Sequence, residues 1–174
     1  MKRAKTPGVQ YAALPWRIVG RQVQILLITS RRTRRWVIPK GWPMRGLKPQ
    51  HAAAIEASEE AGLVGQIDER PFGAYHYLKE FKRSPSVDLE VQVFPFRVTY
   101  QAAGWKEQGQ RAFEWRPYRE AARMVAEPTL KRLILDFGAA RTPSLLGRFL
   151  RTPHAWRLGR AAHLSAPHAR LLPR

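Results

Sequence analysis

The stretch Gly41-Trp42-Pro43-Met44-Arg45-Gly46-Leu47-Lys48-Pro49-Gln50-His51-Ala52-Ala53-Ala54-Ile55-Glu56-Ala57-Ser58-Glu59-Glu60-Ala61-Gly62-Leu63 decides the reading of this chain. Lys40 to Lys48 is a loop rich in Gly and Pro. Pro49 suits the first position of a helix and Gly62 the residue just past its end, which predicts a helix of about three turns between them. Glu56, Glu59 and Glu60 then fall at i, i+3 and i+4 and share one helix face. Each like-charged pair at that spacing costs roughly 0.2–0.5 kcal/mol. Glu59 and Glu60 also sit in the last turn, where the helix macrodipole disfavours negative charge. Residues 49–69 hold five of the 13 acids and no Lys or Arg, in a chain where 31 of 174 residues are basic. With no local compensation, a bare surface does not favour this arrangement. A hard divalent cation does, because Mg²⁺ takes oxygen ligands and is held by one or two carboxylates plus substrate phosphates. The alternative is a solvated acidic helix face. The Ala52-Ala53-Ala54 run leaves the helix slim, so other backbone can approach it.

Outward from this segment, strands and helices mix. Val23 to Thr29 is a β-rich run of buried character, and Trp36-Val37-Ile38 is a second, cut off by Pro39. Phe72 to Phe81 reads as a strand. So does Val87 to Tyr100, with Val87, Leu89, Val91 and Val93 on one face. The apolar phase resumes at Phe94, Phe96 and Val98, a one-residue shift at Pro95 that predicts a bulge or an edge position. Ala112 to Trp115 is a short strand candidate. Pro117 to Val125 and Pro128 to Phe137 are helix candidates, the second with Leu130, Leu133 and Ile134 at helical spacing and Gly138 as its stop. Without strict βαβ alternation, the order favours an α+β fold or a mixed sheet.

The length of 174 residues predicts one domain with a real core. Zero Cys excludes a disulfide scaffold, a thiol nucleophile and a thiolate metal site, and suits a reducing, cytoplasmic setting. No apolar run approaches the ~20 residues that span a bilayer, so no transmembrane segment is expected. Met1-Lys2-Arg3 is basic, but no apolar stretch follows it, so no secretory signal is read. The net charge is +18, and more than half of it lies in the acid-free segments 1–7 and 141–174. The expected organisation is a basic flank over 1–9, a folded body over 10–140, and a mobile basic tail over 141–174. Arg141, Arg148, Arg151, Arg157, Arg160, Arg170 and Arg174 make that tail a candidate nucleic-acid contact, which is not the favoured reading. The basic body attracts polyanions generally, phosphorylated small molecules included.

The segment from Gly41 to Leu63 resembles a Nudix box, the signature of the Nudix hydrolases: Gly, five residues, Glu, seven residues, Arg-Glu, an aliphatic, any residue, Glu-Glu, any residue, Gly, an aliphatic. Counted from Gly41, the chain matches at Glu56, Glu59, Glu60, Gly62 and Leu63. It departs at Leu47, where the family has Glu, and at Ile55, where the family has Arg; Ala57 stands in for the aliphatic. Trp36-Val37-Ile38-Pro39-Lys40-Gly41-Trp42 resembles the lead-in of the diphosphoinositol and dinucleoside polyphosphate branch, and Pro117 to Phe137 resembles its closing helices. The resemblance covers about residues 10–138.

It implies an α/β/α sandwich with a mixed sheet and a loop–helix–loop motif. It also implies Mg²⁺ or Mn²⁺ bound by the glutamates, and attack of water on a phosphorus of a pyrophosphate linkage. By position, Glu59 and Glu60 would be metal ligands, with the Gly41 carbonyl as another. Glu56 would bind or bridge metal, or take the proton from water. A further family glutamate lies in the loop before the last strand. Glu107 matches that setting, with Glu114 as runner-up, so Glu56, Glu59 and Glu107 form the expected catalytic set. The family Arg before the first helix glutamate holds that glutamate by charge-assisted hydrogen bonds. Ile55 cannot, so Arg45 or a basic residue from another loop would have to substitute.

Lys40, directly before Gly41, would aim an ammonium near the phosphates. Arg31, Arg32, Arg34 and Arg35 form a basic turn one strand away, suited either to phosphate capture or to a solvated hairpin tip. His51 reads as a surface residue. Tyr75, His76 and Tyr77 read as strand residues, any one of which could stack on a ring. The function expected is divalent-metal-dependent cleavage of a pyrophosphate linkage in a nucleoside diphosphate-linked or polyphosphorylated substrate, of the dinucleoside polyphosphate or diphosphoinositol polyphosphate type. The alternative is a weakly catalytic or inactive binding module for a phosphorylated ligand or RNA.

Overall fold

The structure, a computed structural model, describes residues 8–79 and 86–142. In chain order the elements are β1 (Gly8–Val19), β2 (Gln22–Thr29), β3 (Trp36–Val37), β4 (Lys40–Gly41), α1 (Pro49–Ala61) and β5 (Leu63–Ile67). There follow β6 (Gly73–Lys79), β7 (Val87–Gln101), β8 (Phe113–Pro117), α2 (Tyr118–Met124) and α3 (Pro128–Arg141). The sheet runs β3-β2-β1-β7-β5, with β4 also on β1, β6 also on β7 and β8 also on β2. β1 and β7 are parallel and their other partners antiparallel, so the sheet is mixed.

Both faces of the sheet are covered. On one, Ala53, Ala57 and Ala61 of α1 pack on Ala13, Leu26, Ile28, Phe94 and Phe96. The alanines bring the helix backbone close to the strands, as the slim sequence anticipates. On the other, Ala121, Ala122, Leu130, Ile134 and Phe137 of α2 and α3 pack on Leu14, Ile25, Leu27, Val91 and Val93. Each large apolar side chain so buried contributes about 1.5–3 kcal/mol. This is the expected α+β architecture, a Nudix-type α/β/α sandwich.

The bulge or edge expected at Pro95 is not found. β7 pairs with β1 in unbroken register from Leu89 to Arg97. The apolar phase shifts because the covering helix changes: Val91 and Val93 face α3, whereas Phe94 and Phe96 face α1. Pro95 instead marks a change of partner on the other side of β7, from β6 up to Val93 to β5 from Phe96. Pro15 stands likewise between the part of β1 paired with β4 and the part paired with β2. A residue without an N–H costs least where the ladder changes partner.

Two other expectations change. Gly138 does not stop α3, which continues to Arg141. A Cβ at Gly138 would collide with the Tyr118 ring, so this glycine serves the close approach of α2 and α3. The loop expected from Lys40 begins with β4, which fixes Lys40 and Gly41 to the sheet opposite Ala12 and Tyr11. Among the described residues, the first element begins at Gly8 and the last ends at Arg141. The rest of the expected flank and tail, and the expected strand end at Phe81, lie outside the described residues.

Candidate active site

The C-terminal end of α1 is held by the loop that leads to β8. Gly62 closes the helix in the left-handed region at φ 66°, where only glycine is unstrained. A Cβ there would lie 2.5 Å from the Trp105 ring. Gln101 Nε2 donates to the Ala61 carbonyl at 2.8 Å. The Ala102 N–H donates to Gly62 O at 2.8 Å and the Glu107 N–H to Glu59 O at 3.0 Å. These donors satisfy carbonyls that a helix end leaves open. The same loop supplies the cations that residues 49–69 lack. Lys106 Nζ lies 2.7 Å from Glu59 Oε2, and the Arg111 guanidinium lies against Glu60.

Arg111 is a buried crosslink, its side chain only 8% exposed. Besides Glu60 it donates to Glu107 Oε2 at 2.8 Å and to the Thr29 carbonyl of β2 at 3.1 Å. The other Glu107 oxygen lies 3.3 Å from Arg31. The second oxygen of Glu60 accepts the backbone N–H of Lys40 at 3.1 Å. The Glu56 carboxylate rests on Gly41, where a Cβ would collide with it. Gly41 therefore has to be glycine for Glu56 to lie as it does.

Glu56, Glu60 and Glu107 line a cleft of about 720 Å³ together with Arg31, Arg32, Arg35, Lys40, Lys79 and Arg111. Trp42, Tyr77, Gln10 and Glu127 complete much of its wall. Burial, then the charges of Glu59 and Glu107, push the Glu56 carboxyl up. Burial pushes Glu60 up to about 7, even though Arg111 and the Lys40 N–H pull it down. Lys40 is pulled down chiefly by burial and Lys79 by burial and then by Arg32, so these cations lie close enough to repel one another. Crowded, partly dehydrated cations of one sign draw anions into a cleft.

The hairpin between β2 and β3 carries the arginines. Its tip is closed by Ser30 N–H to Arg35 O at 2.8 Å and Arg34 N–H to Ser30 O at 3.0 Å. Arg34 adopts φ 56°, an uncommon conformation for a side chain with Cβ. Its guanidinium reaches away to the Gln110 carbonyl at 3.0 Å, tying the hairpin to the β8 loop.

Of the residues singled out from sequence, the cleft gathers Gly41, Glu56, Glu60, Glu107, Lys40, Arg31, Arg32 and Arg35. Glu59 and Arg34 are not part of its lining, being engaged with Lys106 and Gln110. Glu114 lies in β8 and is bonded by Arg116 at 2.7 Å. His51 and Arg45 are exposed. Tyr75 is a core residue, His76 pairs with Asp88 at 3.6 Å, and Tyr77 alone of the three lines the cleft. Arg111, Lys79 and Glu127 were not anticipated. The acid cluster without local cations was the available signal for Arg111.

Comparisons with known proteins agree with this architecture. The NUDIX domain model matches residues 10–137. Nudix hydrolase 12, mitochondrial, of Arabidopsis thaliana is 27% identical over 124 residues, covering 67% of this chain and 59% of that protein. The chain thus spans about three-fifths of the length of such relatives. The fold is similar to that of a C. elegans Ap4A hydrolase, with a TM-score of 0.57 and 16% identity over 78% of this chain and 98% of that one. It is also similar to the NUDIX domain of Shewanella oneidensis NrtR complexed with ADP ribose, with a TM-score of 0.58 and 14% identity over 77% of this chain and 90% of that one. The family match spans nearly all of the sandwich, from β1 to the middle of α3, and includes the acidic helix and the loop that clamps it: this chain belongs to the NUDIX domain family.

Proposed function

We propose that this chain is a divalent-metal-dependent hydrolase that cleaves a pyrophosphate linkage in a polyphosphorylated substrate of the dinucleoside polyphosphate or diphosphoinositol polyphosphate type. One observation carries the reading: Glu56, Glu60 and Glu107 line the same cleft as Arg31, Arg32, Arg35, Lys40 and Lys79. The family and its hydrolase relatives support it, and the Ap4A hydrolase and ADP-ribose-bound neighbours are compatible with it.

The donor set suits Mg²⁺ or Mn²⁺, since hard cations take carboxylate and carbonyl oxygens. Glu56 is raised by burial and then by neighbouring carboxylates, and it makes no ion pair among the described residues, so it has room for a cation. Among those residues no three acids already enclose an ion, because Glu59, Glu60 and Glu107 each turn to a basic side chain. A bound cation would have to displace these partners. Glu59, Glu60, Glu56 and the Gly41 carbonyl would hold the metal. When bound, it neutralises phosphate charge and activates water for in-line attack.

The chain's own groups do the remaining work. Lys40, Lys79, Arg31, Arg32 and Arg35 bind and orient the phosphates. Glu56 takes the proton of the attacking water at a carboxylate oxygen. Glu107 is less suited to that step, because both its oxygens are already engaged. Ile55 leaves Glu56 without the family's arginine, so turnover should be slow.

A panel of diadenosine tetraphosphate, ADP-ribose and diphosphoinositol pentakisphosphate, assayed with Mg²⁺ and Mn²⁺, tests this reading. Metal-dependent release of product is expected, with Glu56→Gln slower by about 100-fold or more. Equal rates for wild type and Glu56→Gln on every substrate would leave the binding-module reading.

A further inference from the structure

We infer that Arg34 is a positioning residue: it ties the β2–β3 hairpin to the loop before β8 and so holds Arg31 and Arg35 where the substrate's phosphates bind. The inference rests on the phosphate-binding part of the hydrolase reading above and adds to it a residue that acts from outside the cleft.

The turn from Ser30 to Arg35 closes with two backbone hydrogen bonds, Ser30 N–H to Arg35 O at 2.8 Å and Arg34 N–H to Ser30 O at 3.0 Å. Within that closure Arg34 takes φ 56° and is the one non-glycine residue at positive φ among the described residues. Glycine fits such a position without strain and asparagine with little, so an arginine there needs a reason. Its side chain is exposed and does not line the cleft, so neither burial nor direct phosphate contact supplies one. Its reach does: Nη1 donates to the Gln110 carbonyl at 3.0 Å, 76 residues further along the chain.

The turn meets the loop before β8 at Arg31 and again at Arg34. Arg31 lies 3.3 Å from Glu107 Oε1, and Arg34 bonds Gln110 O, whose own N–H donates to Glu107 O at 3.0 Å. The two contacts differ in kind. Arg31 and Glu107 both line the cleft, as do Arg35 and Glu127, which are 3.5 Å apart. Phosphate drawn to Arg31 or Arg35 competes with these ion pairs. The contact of Arg34 is made from groups that neither phosphate nor a cation in the cleft calls on. It therefore keeps the hairpin in place while the ion pairs exchange. Arginines carried on a segment fixed beforehand spare the entropy of ordering that segment on binding, and the saving appears as affinity.

The test compares wild type with Arg34→Gly, which fits φ 56° and removes the tether. The lost surface hydrogen bond and the relieved backbone strain offset one another, so Tm should stay within about 4 °C. KM for the panel substrate that wild type turns over best should rise about fivefold or more. kcat should stay within about threefold, because the phosphates are held equally before and during the reaction. Calorimetric binding of inorganic tripolyphosphate, in the presence of chelator, should weaken by the same factor of about five or more. The ratio to wild type should persist in about 0.5 M salt, which screens an exposed charge but not a tether. In an Arg31→Gln, Arg35→Gln background the same change should cost less than about twofold, since Arg34 acts through those two residues. Gln110→Ala, which keeps the carbonyl, should match wild type. A folded Arg34→Gly protein with wild-type KM and tripolyphosphate affinity overturns the inference, as does a penalty that salt abolishes or that the double background leaves whole. Wild type without affinity for tripolyphosphate overturns it too. If Arg34→Gly does not fold, Arg34→Asn, also suited to positive φ, takes the same tests. Failure of both to fold shows that Arg34 serves folding and overturns the inference. All these outcomes leave the hydrolase reading intact. Turnover of no panel substrate overturns that reading, and tripolyphosphate binding then still decides the role of Arg34.

Discussion

The guanidinium of Arg111 lies against the carboxylate of Glu60 and joins the loop before β8 to the last turn of α1. Both side chains are about nine-tenths buried, and Arg111 also holds Glu107 and the Thr29 carbonyl. One cation thus sets the spacing of two acids that come from different elements. It does not replace the missing arginine at Ile55 directly, since that residue would hold Glu56.

Removing this cation should be expensive. Arg111→Met leaves Glu60 and Glu107 facing one another without compensation, and breaking a buried pair from one side costs about 3–5 kcal/mol. Arg111→Lys keeps the charge but loses the fork that reaches three acceptors, so its loss should be smaller. Denaturant unfolding of the metal-free variants measures both. Saturating Mg²⁺ should recover part of the Met variant's loss, because the released carboxylates gain a cation. An Arg111→Met protein as stable as wild type would mean that the clamp contributes little.

Glu60 gives the metal-free protein a pH dependence. Its carboxyl ordinarily titrates at 4.5 and burial raises it to about 7 in the fold. Between those values the folded chain keeps a proton that the unfolded chain has released. Stability from this group is therefore greatest at low pH, falls as pH rises through the window, and levels off above it. Metal binding runs the other way, because it needs the ionised carboxylate. The rise in Tm on adding Mg²⁺ should be larger near pH 8 than near pH 6, and Glu60→Gln should flatten both trends and slow turnover by about 10-fold or more. Equal Mg²⁺ shifts at the two pH values in wild type would show that Glu60 does not control binding.

The helix at the centre of the site was legible because its signals are local: Pro49, Gly62 and the alanine run each act within one element. The acids of α1 could be read for the same reason, whereas Gly41 and Glu107 entered through the family resemblance. β1 escaped notice because Pro15 interrupts an apolar run that looks unlike a central strand. Only the pairing of β1 with β4, β2 and β7 shows that Pro15 sits at a change of partner. Pro95 misled in the same way. Arg111, Lys79 and Glu127 reach the cleft through the folding of distant segments, and no spacing rule links them to Glu56. The arginine turn was partly legible: Arg31, Arg32 and Arg35 line the cleft, whereas the backbone at Arg34 turns its side chain toward Gln110.

Gly138 separates a local from a tertiary explanation. As an ordinary position inside a helix it would tolerate alanine, which is favoured there over glycine by up to about 1 kcal/mol. In the structure α3 runs through it, and the missing Cβ makes room for the Tyr118 ring. Gly138→Ala should therefore destabilise the protein by about 1–3 kcal/mol through overpacking, with the double variant Gly138→Ala, Tyr118→Ala recovering part of the loss. Thermal unfolding of the single and double variants decides it. A stabilised single variant would return Gly138 to a purely local role.

The end of α3 sets where the chain can be shortened. Arg141 reaches Asp68 at 3.3 Å and stacks over the Trp16 and Phe137 rings. Thr142 caps the helix, its hydroxyl donating to the Gly138 carbonyl at 2.6 Å and its N–H to the same oxygen at 3.0 Å. A cut after Ala140 removes both anchors, whereas a cut after Thr142 keeps them. The longer form should retain kcat within about threefold on a small polyphosphate substrate, and the shorter form should melt earlier by several degrees. Both forms lose Arg148, Arg151, Arg157, Arg160, Arg170 and Arg174, so binding to RNA or another polyanion should weaken and depend less steeply on salt. Parallel assays of kcat, Tm and salt-dependent RNA binding on the two truncations test this. If the form ending at Thr142 folds yet loses turnover by orders of magnitude, residues 143–174 help to shape the cleft.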